Sequence, residues 1–261
     1  VHGGDISYGG CIDDSIRHAI TKIAHIHFPV CEKSKENILK LGEEPWRVYN
    51  CGSPAIDNCN SIDYLDSVDV LEKFNLDPGL PIVLFTQHSV TTEVNEAALQ
   101  VRPSLEALKE AGYQTIITYP NLDPGGERII DVLTEYKATT NFQIHESLGY
   151  RNYLSLMKIC SVVVGNSSSG ILETPYFKKP CINIGTRQKG RQASSNVIHV
   201  GYNKTEILEA LEIAIHDKDF IESCVEYCEN PYGEGNTGFK IAKILAKIDL
   251  TKELLQKKIT Y

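Results

Sequence analysis

The chain has 261 residues, 42% apolar and 23% charged, which suits a globular protein with true hydrophobic cores and room for two domains. Thirty-four acidic against 26 basic residues leave a formal charge of −8. That argues against a nucleic acid or an anionic membrane as the main partner and makes any phosphate site local.

No run of eighteen apolar residues and no cleavable leader pattern is visible, so no membrane span is expected and the cytoplasm is the default location. The eight cysteines form no C-x-x-C pair and read as reduced, buried fillers. Cys224 and Cys228, one helical turn apart, are assigned no function.

The chain opens on Val1-His2-Gly3-Gly4-Asp5, which reads as a strand end leading into a functional loop, so it looks like part of something longer. A helix is predicted from Asp13 to about Ile26, then a strand at 25–30, a helix ending near Gly42 and a strand at 47–51. Residues 53–80 shift toward Asp, Asn, Ser and Pro and read as a connection, with a domain boundary near Asp57.

A second alternating series follows. Strands are predicted at 82–86, 115–119, 142–145, 162–165, 181–184 and 197–200, and helices at about 93–111, 126–136, 152–160, from Gly170, and from Lys204 onward. This is the pattern of a doubly wound parallel sheet. Pro103 is expected to kink or break its helix.

The most informative stretch runs from Val162 to Glu173, where three valines, Gly165-Asn166-Ser167-Ser168-Ser169 and Gly170 read as strand, tight turn and helix start. Such a junction aims backbone N–H groups and serine hydroxyls at one point, where an anion fits; serines that merely cap the helix are the plainer account. A hydrolase elbow of the G-x-S-x-G kind fails by one residue, because Ser167 is followed by two serines.

In open parallel sheets ligands sit beyond the carboxyl ends of strands. Four segments qualify: Thr86-Gln87-His88, Tyr119-Pro120-Asn121, Gly165 to Ser168, and Gly185-Thr186-Arg187-Gln188. The last begins a run with Arg187, Lys189 and Arg191, cations that suit a diphosphate facing the serine turn.

With those residues in view, the chain resembles the UDP-N-acetylglucosamine 2-epimerases, specifically their hydrolysing branch. The resemblance lies in His2-Gly3-Gly4-Asp5, Asp13 through Lys22, His88 with Thr91-Thr92-Glu93, Gly165 through Glu173, Asn183 through Gln188, and Asn230 through Gly235. It implies an α/β fold of two Rossmann-like domains of the glycosyltransferase-B type, the first incomplete. Residues 1–57 would be the remainder of the N-terminal domain, with a last helix at about 236–261 packing back on it, and 58–235 the nucleotide-binding domain.

By the same resemblance, roughly a hundred residues with a further carboxylate precede the His-Gly-Gly loop in relatives. The UDP of a UDP-sugar would lie on Ser167, Ser168, Glu173 and Arg187, with Tyr153 near the uracil and His88 facing phosphates and sugar. Asp5 and Asp13 would be the catalytic carboxylates, acid and base unassigned, the closeness of the pair raising one pKa.

The implied reaction is removal of the C2 proton with loss of UDP, then hydration of the glucal to N-acetylmannosamine. No metal or cofactor is called for, and a homo-oligomer is expected. Open alternatives are a non-hydrolysing epimerase, an epimerase acting on UDP-diacetylbacillosamine, a glycosyltransferase of the same architecture, an inactive UDP-binding fragment, and a metal hydrolase built on His25 and His27, which alternate onto one strand face.

Overall fold

The computed structural model describes residues 1–6 and 13–260. The first part carries α1 (Asp13–Ile23), α2 (Glu32–Lys40), α3 (Pro54–Ser61) and α4 (Ser67–Lys73). The predicted strands at 25–30 and 47–51 shrink to one parallel bridge, His27 to Val48. With no further strand beside them among the described residues, there is no ladder to extend.

Residues 53–80 are not a bare connection. Ser53 accepts the Ala55 N–H and Pro54 sits in the first turn, so a cap and a preset φ start α3 across the expected boundary at Asp57.

From Ile82 the alternation holds: β1 (Ile82–Thr86), α5 (Ala97–Ala111), β2 (Gln114–Thr118), α6 (Gly126–Glu135), β3 (Phe142–His145), α7 (Gly149–Ile159), β4 (Val162–Gly165), α8 (Ser169–Leu172), β5 (Cys181–Ile184), β6 (Val197–Val200) and α9 (Lys204–His216). All six strands are parallel, in the order β3-β2-β1-β4-β5-β6. Strand alternation divides the core in two. Val83, Phe85, Val162 and Val164 pack under α5, α6 and α9, while Ile82, Leu84 and Val163 face α4 and α7. The central strands β1 and β4, buried along their whole length, read as near-continuous apolar runs.

Two predictions about helices change. Pro103 lies inside a continuous α5, where its missing N–H leaves the Leu99 carbonyl without a helical donor but does not end the helix. The helix expected from Gly170 is α8, only four residues long. Pro175 has no N–H to return to the Ile171 carbonyl, so the ladder of α8 is interrupted there.

The chain ends with α10 (Lys218–Glu226), α11 (Thr237–Leu245) and α12 (Lys252–Leu255). Both carboxylate oxygens of Asp57 accept from the first turn of α11, from Thr237 N at 2.8 Å and Gly238 N at 2.7 Å. Buried Arg47 donates to the carbonyls of Glu253 (2.7 Å) and Leu254 (2.8 Å), and Lys257 to that of Ala24 (2.6 Å). The last segment is thereby fixed to the first.

Candidate functional site

The strand order reverses between β1 and β4, which opens a crevice beyond their carboxyl ends. Gly165 ends β4 with φ 130°, and a Cβ there would lie 1.9 Å from the Thr86 carbonyl oxygen. Only glycine lets β4 turn this close to β1. The turn brings in Asn166, 1% exposed, whose Oδ1 accepts the His88 N–H at 2.7 Å while Nδ2 donates to the His88 carbonyl at 2.8 Å. The Asn166 carbonyl in turn accepts from Gln188 Nε2 (2.8 Å) and Arg187 Nη1 (3.2 Å). Three of the loops flagged in the sequence meet on one asparagine.

His88 Nδ1 receives the backbone N–H of Asn121 at 2.9 Å. An amide N–H only donates, so Nδ1 is the acceptor and Nε2 carries the proton. Burial, helped by the Arg187 charge, holds the ring's pKa down at about 4. At neutral pH His88 is therefore a neutral imidazole with its Nε2–H as the remaining donor.

His88 lines a cavity of about 460 Å³ together with Ser167, Ser169, Glu173 and Tyr153, its far wall running along Glu146 to Tyr150 after β3. Glu173 is 8% exposed, and burial raises its pKa, partly offset by hydrogen bonds from Ser169 and Tyr150. The Ser169 hydroxyl donates to Glu173 Oε2. The Tyr153 hydroxyl is buried beside Ser169 and Thr86, hydrogen-bonded to neither, with its pKa pushed by burial up to about 12. This sets Tyr153 against the Ser169–Glu173 pair.

Ser168 and Arg187 stand outside that lining. The Ser168 carbonyl accepts from Leu172 N at 2.9 Å to begin α8, and the Arg187 guanidinium lies between the Asn166 carbonyl and Asp123, 3.8 Å from Oδ2. A one-turn α8 sums few peptide dipoles. The anion-binding capacity falls instead to serine hydroxyls, the His88 Nε2–H and the arginine charge.

Asp5 occupies a second, smaller hollow with Ser34, Gly190 and Arg191. Ser34 Oγ donates to it at 2.6 Å, and His2 Nε2, Arg191 Nη2 and Arg17 Nη1 stand 3.3, 3.7 and 4.0 Å from Oδ2. Burial pushes its pKa up, but His2, Ser34 and Arg191 outweigh it and hold the carboxyl at about 2. Its neighbours are cations and donors, so Asp5 is not the member of the pair with Asp13 that is raised. Asp13 heads α1, but its side chain lies outside the described residues. Asp14, next to it, pairs with Arg17 at 3.2 Å.

His25 and His27 do not form a pair. His27 Nε2 meets buried Glu43 at 3.0 Å and His25 Nε2 the Leu255 carbonyl at 3.3 Å. Among the described residues no three His, Cys, Asp or Glu side chains converge as a metal site would require. Cys224 and Cys228 are buried free thiols. No helix among the described residues is long and apolar enough to cross a membrane.

Residues 1–246 match the family model described as UDP-N-acetylglucosamine 2-epimerase. The chain is 40% identical over 201 residues to the GDP/UDP-N,N′-diacetylbacillosamine 2-epimerase (hydrolyzing) of Campylobacter jejuni, covering 75% of this chain and 52% of that protein. It is 32% identical over 259 residues to the UDP-N,N′-diacetylbacillosamine 2-epimerase (hydrolyzing) of Legionella pneumophila, covering 98% and 66%. The chain thus spans about half to two thirds of the length of these curated relatives. Its fold is similar to the crystal structure of the Neisseria meningitidis UDP-GlcNAc 2-epimerase bound to UDP-GlcNAc, with a TM-score of 0.79 at 22% identity over 94% of this chain and 68% of that one. The glycosyltransferase-B type of α/β architecture follows, and the chain belongs to the UDP-N-acetylglucosamine 2-epimerase family.

Proposed function

We propose that the protein is a hydrolysing UDP-N-acetylglucosamine 2-epimerase, releasing N-acetylmannosamine and UDP. The observation carrying this reading is the Asn166 junction, which holds a neutral, donating His88 over a cavity with serine hydroxyls near it and a buried carboxylate, Glu173, on its wall. The His88 Nε2–H and Ser167 would face the diphosphate, with Ser168 and Arg187 adding hydroxyl and charge from its edge, and Glu173 would take the ribose hydroxyls. Residues 1–57 with the returning segment 236–261 would form one wall of the cleft and 58–235 the other.

The chemistry divides across that cleft. A carboxylate takes the C2 proton, the C2 electron pair forms the C1–C2 double bond, and the C1–O pair leaves with UDP. Water then adds OH to C1 and a proton to the opposite face of C2. Donors preset at the diphosphate stabilise the charge that grows on it. Asp5 and Asp13 would be the carboxyl groups that carry the two proton transfers.

A second reading, the same elimination on UDP-N,N′-diacetylbacillosamine, is favoured by the names of the Campylobacter and Legionella relatives. The test is to incubate the full-length protein with each nucleotide sugar in heavy water and identify the products by NMR. Free N-acetylmannosamine carrying deuterium at C2 supports the first reading. An unlabelled C2 refutes proton abstraction, turnover of the diacetylated sugar alone selects the second reading, and an epimerised sugar still joined to UDP makes the enzyme non-hydrolysing.

A further inference from the structure

The loop between β5 and β6 is held at both ends by groups that matter to the site. Near its start, Arg187 and Gln188 donate to the Asn166 carbonyl, on the nucleotide side. A few residues on, Arg191 reaches across to Asp5, with Nη2 3.7 Å from Oδ2. The next residue is pinned as well, since the Tyr232 hydroxyl donates to the Gln192 carbonyl at 2.7 Å.

The other groups around Asp5 come from the opposite side: His2 from the chain start, Arg17 from α1, and Ser34 from α2, while Lys33 and Tyr232 border the same hollow. Ser34 makes the shortest contact, a neutral hydrogen bond at 2.6 Å, and the two other charged groups differ from Arg191. Arg17 is nearer to Asp14, at 3.2 Å, than to Asp5, and the His2 side chain is 43% exposed. The Arg191 side chain is 17% exposed, with a buried Nε that has no hydrogen-bond partner among the described residues. An arginine serving only to brace the fold would be expected to spend that donor.

We propose that Arg191 is a positioning residue that holds Asp5 in place from across the cleft, so that the loop touching the nucleotide junction also sets the carboxylate opposite it. The proposal rests on the reading of Asp5 as a working group given above. Arg191 acts through Asp5, as a positive charge 3.7 Å from Oδ2 that draws the ionised carboxylate toward its side of the hollow.

The test uses the full-length protein with Arg191→Gln and Arg191→Lys, UDP-N-acetylglucosamine as substrate, and UDP for binding. Arg191→Gln is expected to lower kcat at least about tenfold while leaving KM and the UDP Kd within about threefold, because the nucleotide side is untouched. The acid limb of the kcat–pH profile moves upward, as does the titration of a 13C-labelled Asp5 carboxyl. Arg191→Lys keeps the charge, recovers part of kcat and leaves the titration near its original position.

Wild-type kcat and acid limb in Arg191→Gln overturn the proposal, as does a loss of UDP affinity matching the loss of kcat. If Arg191→Gln does not fold, wild-type kcat in Arg191→Lys overturns it and an intermediate kcat at unchanged UDP affinity supports it. A wild-type protein that releases no UDP from the substrate fails the proposed function instead. The Asp5 titration then still decides the link to Arg191.

Discussion

The side-chain amide of Asn166 brackets the main chain of His88, accepting its N–H at 2.7 Å and donating to its carbonyl at 2.8 Å. The two residues follow neighbouring strands of the sheet, β4 and β1, and lie 78 positions apart in sequence. This joint sets the direction of the imidazole, because the His88 backbone is fixed before its Nδ1 accepts from Asn121.

Asn166→Ala would strip two partners from the His88 peptide and leave a gap in a buried site, at a cost of about 2–4 kcal/mol. Asn166→Asp would keep the shape but lose the donor to the His88 carbonyl and bury a charge. Both variants are expected to lower the thermal midpoint and to weaken UDP at least about tenfold by calorimetry. Unchanged UDP affinity in a folded Asn166→Ala would show that the His88 imidazole does not depend on this joint.

Glu173 gives a pH signature for nucleotide binding. Burial raises its pKa above the ordinary carboxylate value, so it protonates at a higher pH than a surface glutamate would. If the ribose hydroxyls donate to the ionised form, UDP affinity should begin to fall at a pH above 4.5, the ordinary value. Glu173→Gln is expected to bind UDP about ten- to a hundredfold more weakly at pH 7, the loss of a hydrogen bond to a charged group, and to flatten this pH dependence. Calorimetric titrations between pH 4.5 and 8 read both effects.

What could be read in advance follows from how local each feature is. The strands at 82–86 and 162–165 are apolar runs buried on both faces of a parallel sheet, and such a run identifies itself without knowledge of its neighbours. The strands proposed at 25–30 and 47–51 mix apolar residues with His, Pro, Arg and Asn, and a strand exists only through its ladder; among the described residues only His27 and Val48 pair there. The short α8 could have been anticipated from Pro175.

Asn166 stood in full view inside the most conspicuous stretch of the chain and read as a turn residue. Its function depends on β4 lying beside β1, a relationship that appears only once the strand order is known. The direction of the Asp5 shift was hidden for the same reason. Arg191 is 186 positions away along the chain, and with His2 and Ser34 it holds down a carboxylate whose neighbours the sequence does not show.

The return of the C-terminal segment rests on Arg47, a fully buried guanidinium with two carbonyls of α12 on its fork. Arg47→Met removes the charge but keeps the volume, and leaves the Glu253 and Leu254 carbonyls without their donor. A loss of about 3–5 kcal/mol is expected. It should appear as a lower urea midpoint and as faster proteolytic cleavage within residues 249–260. Arg47→Lys should recover only part of the loss, since one ammonium cannot serve both carbonyls with the geometry of the fork. UDP affinity should be unchanged in the folded fraction, because Arg47 does not line the nucleotide cavity.

Stability should fall with acidity in two separable steps. His88 has a pKa of about 4 in the folded chain against about 6.5 when unfolded. Between those values the unfolded state binds the extra proton, so the stability His88 contributes is complete above about pH 6.5 and is lost as pH falls through 4. Asp5 has a folded pKa of about 2 against about 3.9 unfolded, so its contribution survives the first step and is lost from about pH 4 down through 2. Each shift is worth on the order of 3 kcal/mol. Buried His27, also shifted down, adds to the upper step. Urea midpoints measured from pH 8 to 2 should therefore decline first between about 6.5 and 4, with His88→Asn reducing that slope, and again below 4, with Asp5→Asn reducing only the second. An unaltered upper slope in His88→Asn would mean that the imidazole is not held neutral by its surroundings, and the neutral donor assigned to the diphosphate would then have to be abandoned.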